Sequence, residues 1–550
     1  MALADVLPRW TKRVFTKTGG RDPLGLSRVS GSITDFMMPG ITTITPRARY
    51  FSFFCWALED IASEEEPKTY EDFKTALRRR EAAVALATFI AEPRGPMHGA
   101  EEAKAELASS SFPDEYSIDF QVLPSNPLGG YGQYYSGSLY RLGLTERDEN
   151  GIDYPSNEIA RRIARQFEES IRGTCFPQSQ CFSGRTINKI VVQESAAVLS
   201  IDALNSPRAA GEQKALVDLF LATDGPKNED DLNRRHSLAL ILHVVRAYEE
   251  LGVEPGFREL DSSLLYGPHY FGVLTQEGSQ VGPWVPPSGL AHASAFWRQF
   301  CLQEYLTVAL ERLLSAALEV AGAKSAGVTE EELLGSILQG DFERYLEDRL
   351  GVVSPAPQQM MAALGLGGPP SSARSQDLRH TYMFDHPCSE EQIHSDSEWA
   401  SPQTEAAQAV LILGVLYGKW RGVKDDPAFY QVMTKAGPEL CSATVFPFLD
   451  AWFDPAITWQ DALGELLGRL VLDQHDRIMY EKRRLDSTWF SRSGGRILKD
   501  QDYEPHRRNS RFQNAVRILC DLGLLEMTDP EEGLRVTATG ATQLEQILKA

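Results

Sequence analysis

The chain has 550 residues, of which 42% are hydrophobic and 24% charged, and its formal net charge is −21. That length supports about two to four domains with full-sized cores, and the composition is that of a globular protein rather than a disordered or fibrous one. The acidic balance argues against a protein that coats nucleic acid over its whole surface, which needs a cationic footprint. Seven scattered cysteines, Cys55, Cys175, Cys181, Cys301, Cys388, Cys441 and Cys520, fit a reducing compartment better than a disulfide framework. The opening residues lack the apolar core and cleavage site of a signal peptide, and no apolar run reaches the length of a membrane span. A cytoplasmic protein with no membrane partner is therefore expected.

Residues 1 to 30 carry Gly19-Gly20 and Asp22-Pro23-Leu24-Gly25, which read as an irregular lead-in. Pro39-Gly40 interrupts the chain, and Thr45-Pro46 predicts an N-cap followed by proline at the first helical position. The helix that follows bears Tyr50, Phe51, Phe53, Phe54, Trp56 and Leu58 on every side, the pattern of a buried core helix. Its first turn sets Arg47 and Arg49 among the hydroxyls of Thr42, Thr43 and Thr45, beside free N–H groups that attract anions. Thr45, Arg47 and Arg49 are thus candidate anion-binding residues. The competing reading pairs both arginines with carboxylates elsewhere in the fold.

A second helix is predicted over Tyr70–Glu92, ended by Pro93, Gly95 and Pro96. From Leu123 onward Gly129, Gly130, Gly132 and Gly137 are interleaved with Tyr131, Tyr134, Tyr135 and Tyr140. Such a stretch can stack bases or pack a loop onto a core. Leu142-Gly143-Leu144, a polar connector to Gly151 and a helix from Pro155 complete this unit, with Ile159, Ile163, Phe167 and Ile171 on one helical face. The same order recurs at the C-terminus. A helix ends at Leu519, Leu522-Gly523-Leu524-Leu525 leads out, Asp529–Gly533 turns, Leu534–Thr537 is strand-like, and a closing helix carries Leu544, Ile547 and Leu548. Helix, exit, hairpin and helix is the local order of a winged helix-turn-helix.

Between these units helical patterns run over Gln213–Thr223, Leu232–Leu251, Ala295–Ala321, Thr329–Leu350 and Thr404–Trp420. The Pro-, Gly- and Ser-rich stretch 354–376 reads as a linker or an inserted loop. The expected fold is mainly α: a multi-domain helical protein with a C-terminal winged helix-turn-helix and a second winged-helix-like unit near 120–172. The expected divisions are 1–175, an N-terminal helical domain with a winged-helix-like end; 176–353, a central helical domain; 354–400, a linker or loop; 401–475, a helical segment; and 476–550, the winged helix-turn-helix domain.

The run Pro39-Gly-Ile-Thr-Thr-Ile-Thr-Pro-Arg-Ala-Arg-Tyr-Phe51 resembles a signature near the start of a bacterial and archaeal protein family often considered alongside anti-phage defence genes. Gln133-Tyr-Tyr-Ser-Gly-Ser-Leu139 and Asp521-Leu-Gly-Leu-Leu525 are similar to later stretches of that group. The resemblance covers three short islands. It implies a prokaryotic defence or genome-maintenance context and a protein partner such as an ATPase or nuclease of the same system, and it supplies no mechanism.

The clearest charge anomaly lies between Arg477 and Arg517, where eleven Lys or Arg face five acids, a net +6 in an acidic chain. Arg507, Arg508, Arg511 and Arg517 would lie on or just before the helix that enters the major groove of DNA in a DNA-reading winged helix, with Asn509, Gln513 and Asn514 in reach of base edges. Arg507, Arg508, Arg511, Gln513, Asn514 and Arg517 are the candidate nucleic-acid-binding residues. The competing reading is a winged helix used for protein assembly, its arginines facing the acidic remainder of the chain. His380, His386, Cys388 and His394 are of types that bind zinc, but their spacings match no structural zinc pattern, and Cys175 and Cys181 have no second pair. No metal and no cofactor are expected. Phosphate-loop, dinucleotide, zincin and nucleophile-elbow motifs are absent, and Glu102-Ala-Lys104 sits in a helical pattern unsuited to a nuclease strand.

These features predict a non-catalytic component that binds DNA, scaffolds a protein partner, or does both. The alternative is a nuclease or phosphate-ester hydrolase with its anion site at Arg47 and Arg49. A pocket lined by carboxylates and either arginine would favour the enzyme; burial of both against structural acids would favour the scaffold.

Overall fold

A computed structural model describes residues 22–549 apart from 66, 68, 178, 266–272, 277–278, 370–387, 397–399, 422–439, 483–487 and 530–532. The architecture is mainly helical. Among the described residues, strands occur only as two-stranded antiparallel pairs: Glu115–Ser117 with Thr186–Asn188, Thr145–Arg147 with Asp153–Pro155, Val273–Gln276 with Ser279–Pro283, Phe490–Ser493 with Arg496–Lys499, and Leu525–Asp529 with Gly533–Val536. Also among the described residues, no helix is long and apolar enough to cross a membrane.

Among the described residues the longest helix, Ala291–Gly322, spans 32 residues and is buried along most of them. Its apolar surface packs most extensively on Pro402–Trp420 and also meets Ser27–Met37, Phe257–Leu265 and the strand Arg496–Lys499. It carries an internal polar stripe as well, with Gln299, Gln303, Glu304, Thr307, Glu311 and Arg312 all buried. Buried polar groups need partners, and this stripe receives the C-terminal arginines described below. Buried apolar residues from Leu24 to Ile547 form one continuous cluster.

Local chemistry sets most helix ends. Thr69 caps Tyr70–Ile90 by accepting the Asp72 N–H at 3.2 Å, and Asn228 caps Glu229–Glu250 by accepting from Asp231 at 2.8 Å. The helix expected over Thr329–Leu350 is two: Glu330–Ile337, opened by a Thr329/Glu332 capping box, and Asp341–Leu350, separated by Gly340 at φ +53°. Part of the stretch expected as a linker is structural. Pro357–Ala363 forms a helix whose Met360 and Met361 are fully buried, packed where Gly414 of Pro402–Trp420 leaves space. A Cβ at Gly414 would lie 2.9 Å from atoms of Leu364 and Met360. Met360 and Met361, with Leu364 one turn further on, form a buried apolar face that outweighs the flanking prolines and glycines. Residues 370–376 of that stretch lie outside the described residues.

The two helix–hairpin–helix units expected from sequence share their exits bond for bond. Gly143 at φ +66° and Gly523 at φ +67° end the first helices, Ser136–Arg141 and Phe512–Asp521. The N–H groups of Leu144 and Leu524 both donate to the residue five earlier, Leu139 and Leu519, at 2.9 Å. Ser156 and Thr537 then return from the hairpins, each hydroxyl donating to the glycine carbonyl at 2.6 Å. The helices Glu158–Ser170 and Ala538–Lys549 follow.

Candidate functional site at two arginine clusters

The Thr45-Pro46 helix start is corrected by the structure. Thr45 Oγ1 accepts the Thr42 N–H at 2.9 Å, closing a turn, and the helix runs Arg49–Asp60. The cap comes from the far end of the chain: the Ala48 N–H donates to Asp521 Oδ2 at 2.9 Å. Arg47 extends beside it, with Nε 3.1 Å from Asp521 Oδ2 and Nη2 2.5 Å from Asp202 Oδ1. Tyr135 Oη donates to the Arg47 carbonyl at 3.1 Å. Arg49 is enclosed by Glu212, whose two oxygens sit 3.1 Å from Nε and Nη2, and by Ser170 Oγ at 3.0 Å and the Val198 carbonyl at 2.8 Å. Arg47 and Arg49 are both buried.

The expected anion site at Thr45, Arg47 and Arg49 is therefore filled by the protein's own anions. A helix N-terminus and a guanidinium attract a carboxylate as they would a phosphate; here Asp521 and Asp202 answer the attraction. Burial opposes the charge of Arg47, and Asp521 and Asp202 outweigh it, raising its affinity for the proton. Burial likewise pushes the Asp521 carboxyl up, with Arg47 opposing. Arg47 also draws the three sequence islands together, since Tyr135 lies in the second and Asp521 in the third.

The C-terminal arginines are turned inward. Arg507 lies over the Tyr305 ring at 5.2 Å, with Nη1 3.3 Å from Glu391 and Nη2 3.4 Å from Asp261. The Arg508 N–H donates to Glu304 at 2.5 Å, and its Nη2 to Glu311 at 2.9 Å. Burial pushes the Glu311 carboxyl up, and Arg508 opposes the shift. Arg511 donates to the Ile41 carbonyl at 2.9 Å and pairs with Asp35. Asn514 is buried, its amide donating to the Thr42 carbonyl at 2.8 Å. Gln513 is exposed and Arg517 partly so. This departs from the expectation of base-reading and phosphate contacts. The face of Phe512–Asp521 that carries Phe512, Val516 and Leu519 is buried, and Arg507, Arg508, Arg511 and Asn514 go in with it. Arg492 and Arg496 are likewise paired, with Glu330, Asp473 and Asp476 and with Glu332. Phe257, Asp261, Arg507, Arg508, Ser510 and Gln513 line a cleft of about 490 Å³ beside this helix.

Sequence reasoning missed a third cluster. Glu81, in the middle of Tyr70–Ile90, is buried, its Oε1 accepting the Tyr131 N–H at 3.2 Å and its carboxyl facing the Gly130 N–H. Burial pushes its carboxyl up to about 8. The His98 imidazole is lowered to about 4 by burial, and the His98 backbone N–H donates to Tyr50 Oη at 2.9 Å. Among the described residues, Glu81 Oε2 and His98 Nδ1 have no hydrogen-bond partner. Gly129-Gly130 makes this approach possible, because a Cβ on Gly130 would stand 2.1 Å from His98 Nδ1 and 2.6 Å from Glu81 Oε1. Tyr131 and Tyr135 of the glycine-tyrosine stretch are fully buried, so these two rings pack the core and are not platforms for bases. Their signal in the sequence was the tyrosine spacing; nothing local marked Glu81.

Of the zinc-type residues, His380 and His386 lie outside the described residues, while Cys388 donates to the Arg349 carbonyl at 3.4 Å and His394 sits edge-on to Tyr305 at 6.5 Å. Among the described residues, no group of three or more His, Cys, Asp or Glu is placed to hold a metal ion. Compared with protein-family models, curated proteins and solved structures, the chain has no significant match.

Proposed function

We propose that the chain is a non-catalytic protein-scaffolding component of a cytoplasmic prokaryotic defence or genome-maintenance system. In this reading its two helix–hairpin–helix units are winged helices that clasp the helical body rather than read DNA. The observation that carries it is the inward pairing of Arg507, Arg508 and Arg511 with Asp261, Glu391, Glu304, Glu311 and Asp35. Phosphate contacts need cations free to replace counterions, and these cations are already matched by carboxylates. Burial of Arg47 and Arg49 against Asp202, Asp521 and Glu212 favours the scaffold over a phosphate-ester hydrolase for the same reason. The bond-for-bond likeness of the two units supports the winged-helix reading, and the three-island resemblance supports the defence context. For a protein partner such as an ATPase or nuclease, the body offers an apolar groove of about 380 Å³ lined by Pro447, Phe448, Trp452 and Ile457.

The test is binding to labelled duplex and single-stranded DNA across a salt series, beside a variant with Arg507, Arg508 and Arg511 changed to Ala. The scaffold reading expects no binding at low salt and a less stable variant. Binding that weakens steeply with salt and is lost in the variant would overturn it in favour of a nucleic-acid reader.

A further inference from the structure

Two Cys-Phe dipeptides, Cys175-Phe176 and Cys181-Phe182, follow the helix Glu158–Ser170, the second within the 3-10 turn Ser179–Phe182. Both phenylalanines are 1% exposed, and their rings pack 5.9 Å apart. Phe182 also lies 6.2 Å from Trp56 and under the Arg80 guanidinium at 4.6 Å. The two anchors fix the residue preceding each. Cys181 Sγ donates to the Cys175 carbonyl at 2.9 Å, which sets its thiol against the backbone of the other cysteine. Both are free and partly exposed, whereas Cys55, Cys301, Cys388 and Cys441 are buried.

The two thiols are also unequal. The Cys181 side chain holds Cys175 below the ordinary thiol range, and Cys175 in turn pushes Cys181 above it. Cys175 is therefore the stronger candidate for the attacking thiolate. By contrast, burial pushes Cys55 and Cys520 up to about 12.

We propose that Cys175 and Cys181 form a redox-responsive dithiol that closes to an intramolecular disulfide when it meets a small-molecule disulfide such as glutathione disulfide. Cys175 loses its proton to water, and its thiolate attacks one sulfur of the small disulfide. A mixed disulfide forms, the small S–S bond breaks, and one thiolate leaves to take up a proton. Cys181 then loses its proton to water and attacks the Cys175 sulfur, expelling the second small thiol. Two protein thiols are oxidised, and one small disulfide is reduced to two thiols. The closed loop tethers the segment running from Ser170, which holds Arg49, to the strand Thr186–Asn188. The oxidised chain thus gains a constraint next to the first sequence island.

The experiment incubates the full-length protein in graded glutathione redox buffers and measures intact mass and linked peptides. The expected result is loss of two hydrogens from the wild type, a peptide joining 175 to 181, and reversal by dithiothreitol. Cys181→Ser is expected to accumulate the glutathione adduct on Cys175, and Cys175→Ser to lose the reaction. A wild type that keeps a stable glutathione adduct at either cysteine, or that forms no 175–181 link in oxidising buffer, would overturn the proposal; this readout requires no variant to fold.

Discussion

Arg47 and Asp521, 474 residues apart in sequence, meet through Nε and Oδ2 at 3.1 Å, and the same carboxylate caps the helix that Arg47 precedes. One side chain thus satisfies both a guanidinium and a helix terminus. Removing Arg47 leaves Asp521 and Asp202 uncompensated at a buried site. Arg47→Ala should cost about 3–5 kcal/mol, the range for breaking a buried pair, read as a lowered midpoint in denaturant unfolding. A loss below about 1 kcal/mol would show the cluster to be solvated.

The C-terminal arginines should separate by burial. Arg508 pairs with Glu311, whose side chain is 0% exposed, while the Arg511 partner Asp35 is 62% exposed. Arg508→Ala should cost about 3 kcal/mol or more by leaving a buried carboxylate. Arg511→Ala should cost about 1 kcal/mol through its exposed pair and its bond to the Ile41 carbonyl. Equal losses in paired unfolding curves would contradict the inward packing of Arg508.

Glu81 makes stability depend on pH in a defined window. Its folded-state value, about 8, lies above the ordinary 4.5, so the native state holds a proton that the unfolded chain has released. Wild-type stability therefore declines from this group as pH rises from 4.5 to 8. His98, lowered to about 4 from 6.5, acts in the opposite sense and fades above 6.5. The Glu405 carboxyl, pushed up to about 7 by burial, contributes in the same sense, so Glu81 is isolated by comparing urea unfolding of the wild type with that of Glu81→Gln between 6.5 and 8. Glu81→Gln should gain on the wild type steadily across that interval and hold the gain above it; a constant difference would remove Glu81 as the source.

Two glycines only seven residues apart should respond with opposite signs. Gly130→Ala drives a methyl into His98 and Glu81, an overpacking worth about 1–3 kcal/mol of lost stability. Gly137 is exposed within Ser136–Arg141, with nothing within 4 Å of an added Cβ. Gly137→Ala should stabilise by about 0.5–1 kcal/mol through reduced chain entropy. Melting temperatures moving in the same direction would count against the close approach at Gly130.

Periodicity made the helices legible, because apolar residues at three- and four-residue spacing report a buried face whatever lies opposite. Thr45-Pro46 misplaced a helix start because the hydroxyl closed a turn and a distant carboxylate took its place. Arg507 and Arg508 stood out as a cationic run, but the direction of the first depended on Asp261 and Glu391, and that of the second on Glu304 and Glu311, two hundred residues away on a helix that reads as plain core. Met360 and Met361 were obscured by the prolines around them. Asp521 lay in plain view beside Leu522-Gly523, yet a lone aspartate after a helix has many uses. What local sequence leaves open is which opposite charges will meet.

The capping of Arg49–Asp60 by Asp521 also orders events in time. During synthesis the aromatic helix leaves the ribosome hundreds of residues before its cap exists. The Ala48 N–H and the Arg47 Nε must wait for residue 521, although Asp202, which takes the Arg47 Nη2, is made far earlier. Closure around this helix start is thus coupled to the synthesis of residue 521, and a nascent chain arrested between residues 202 and 521 holds Arg47 through Asp202 without the Asp521 cap.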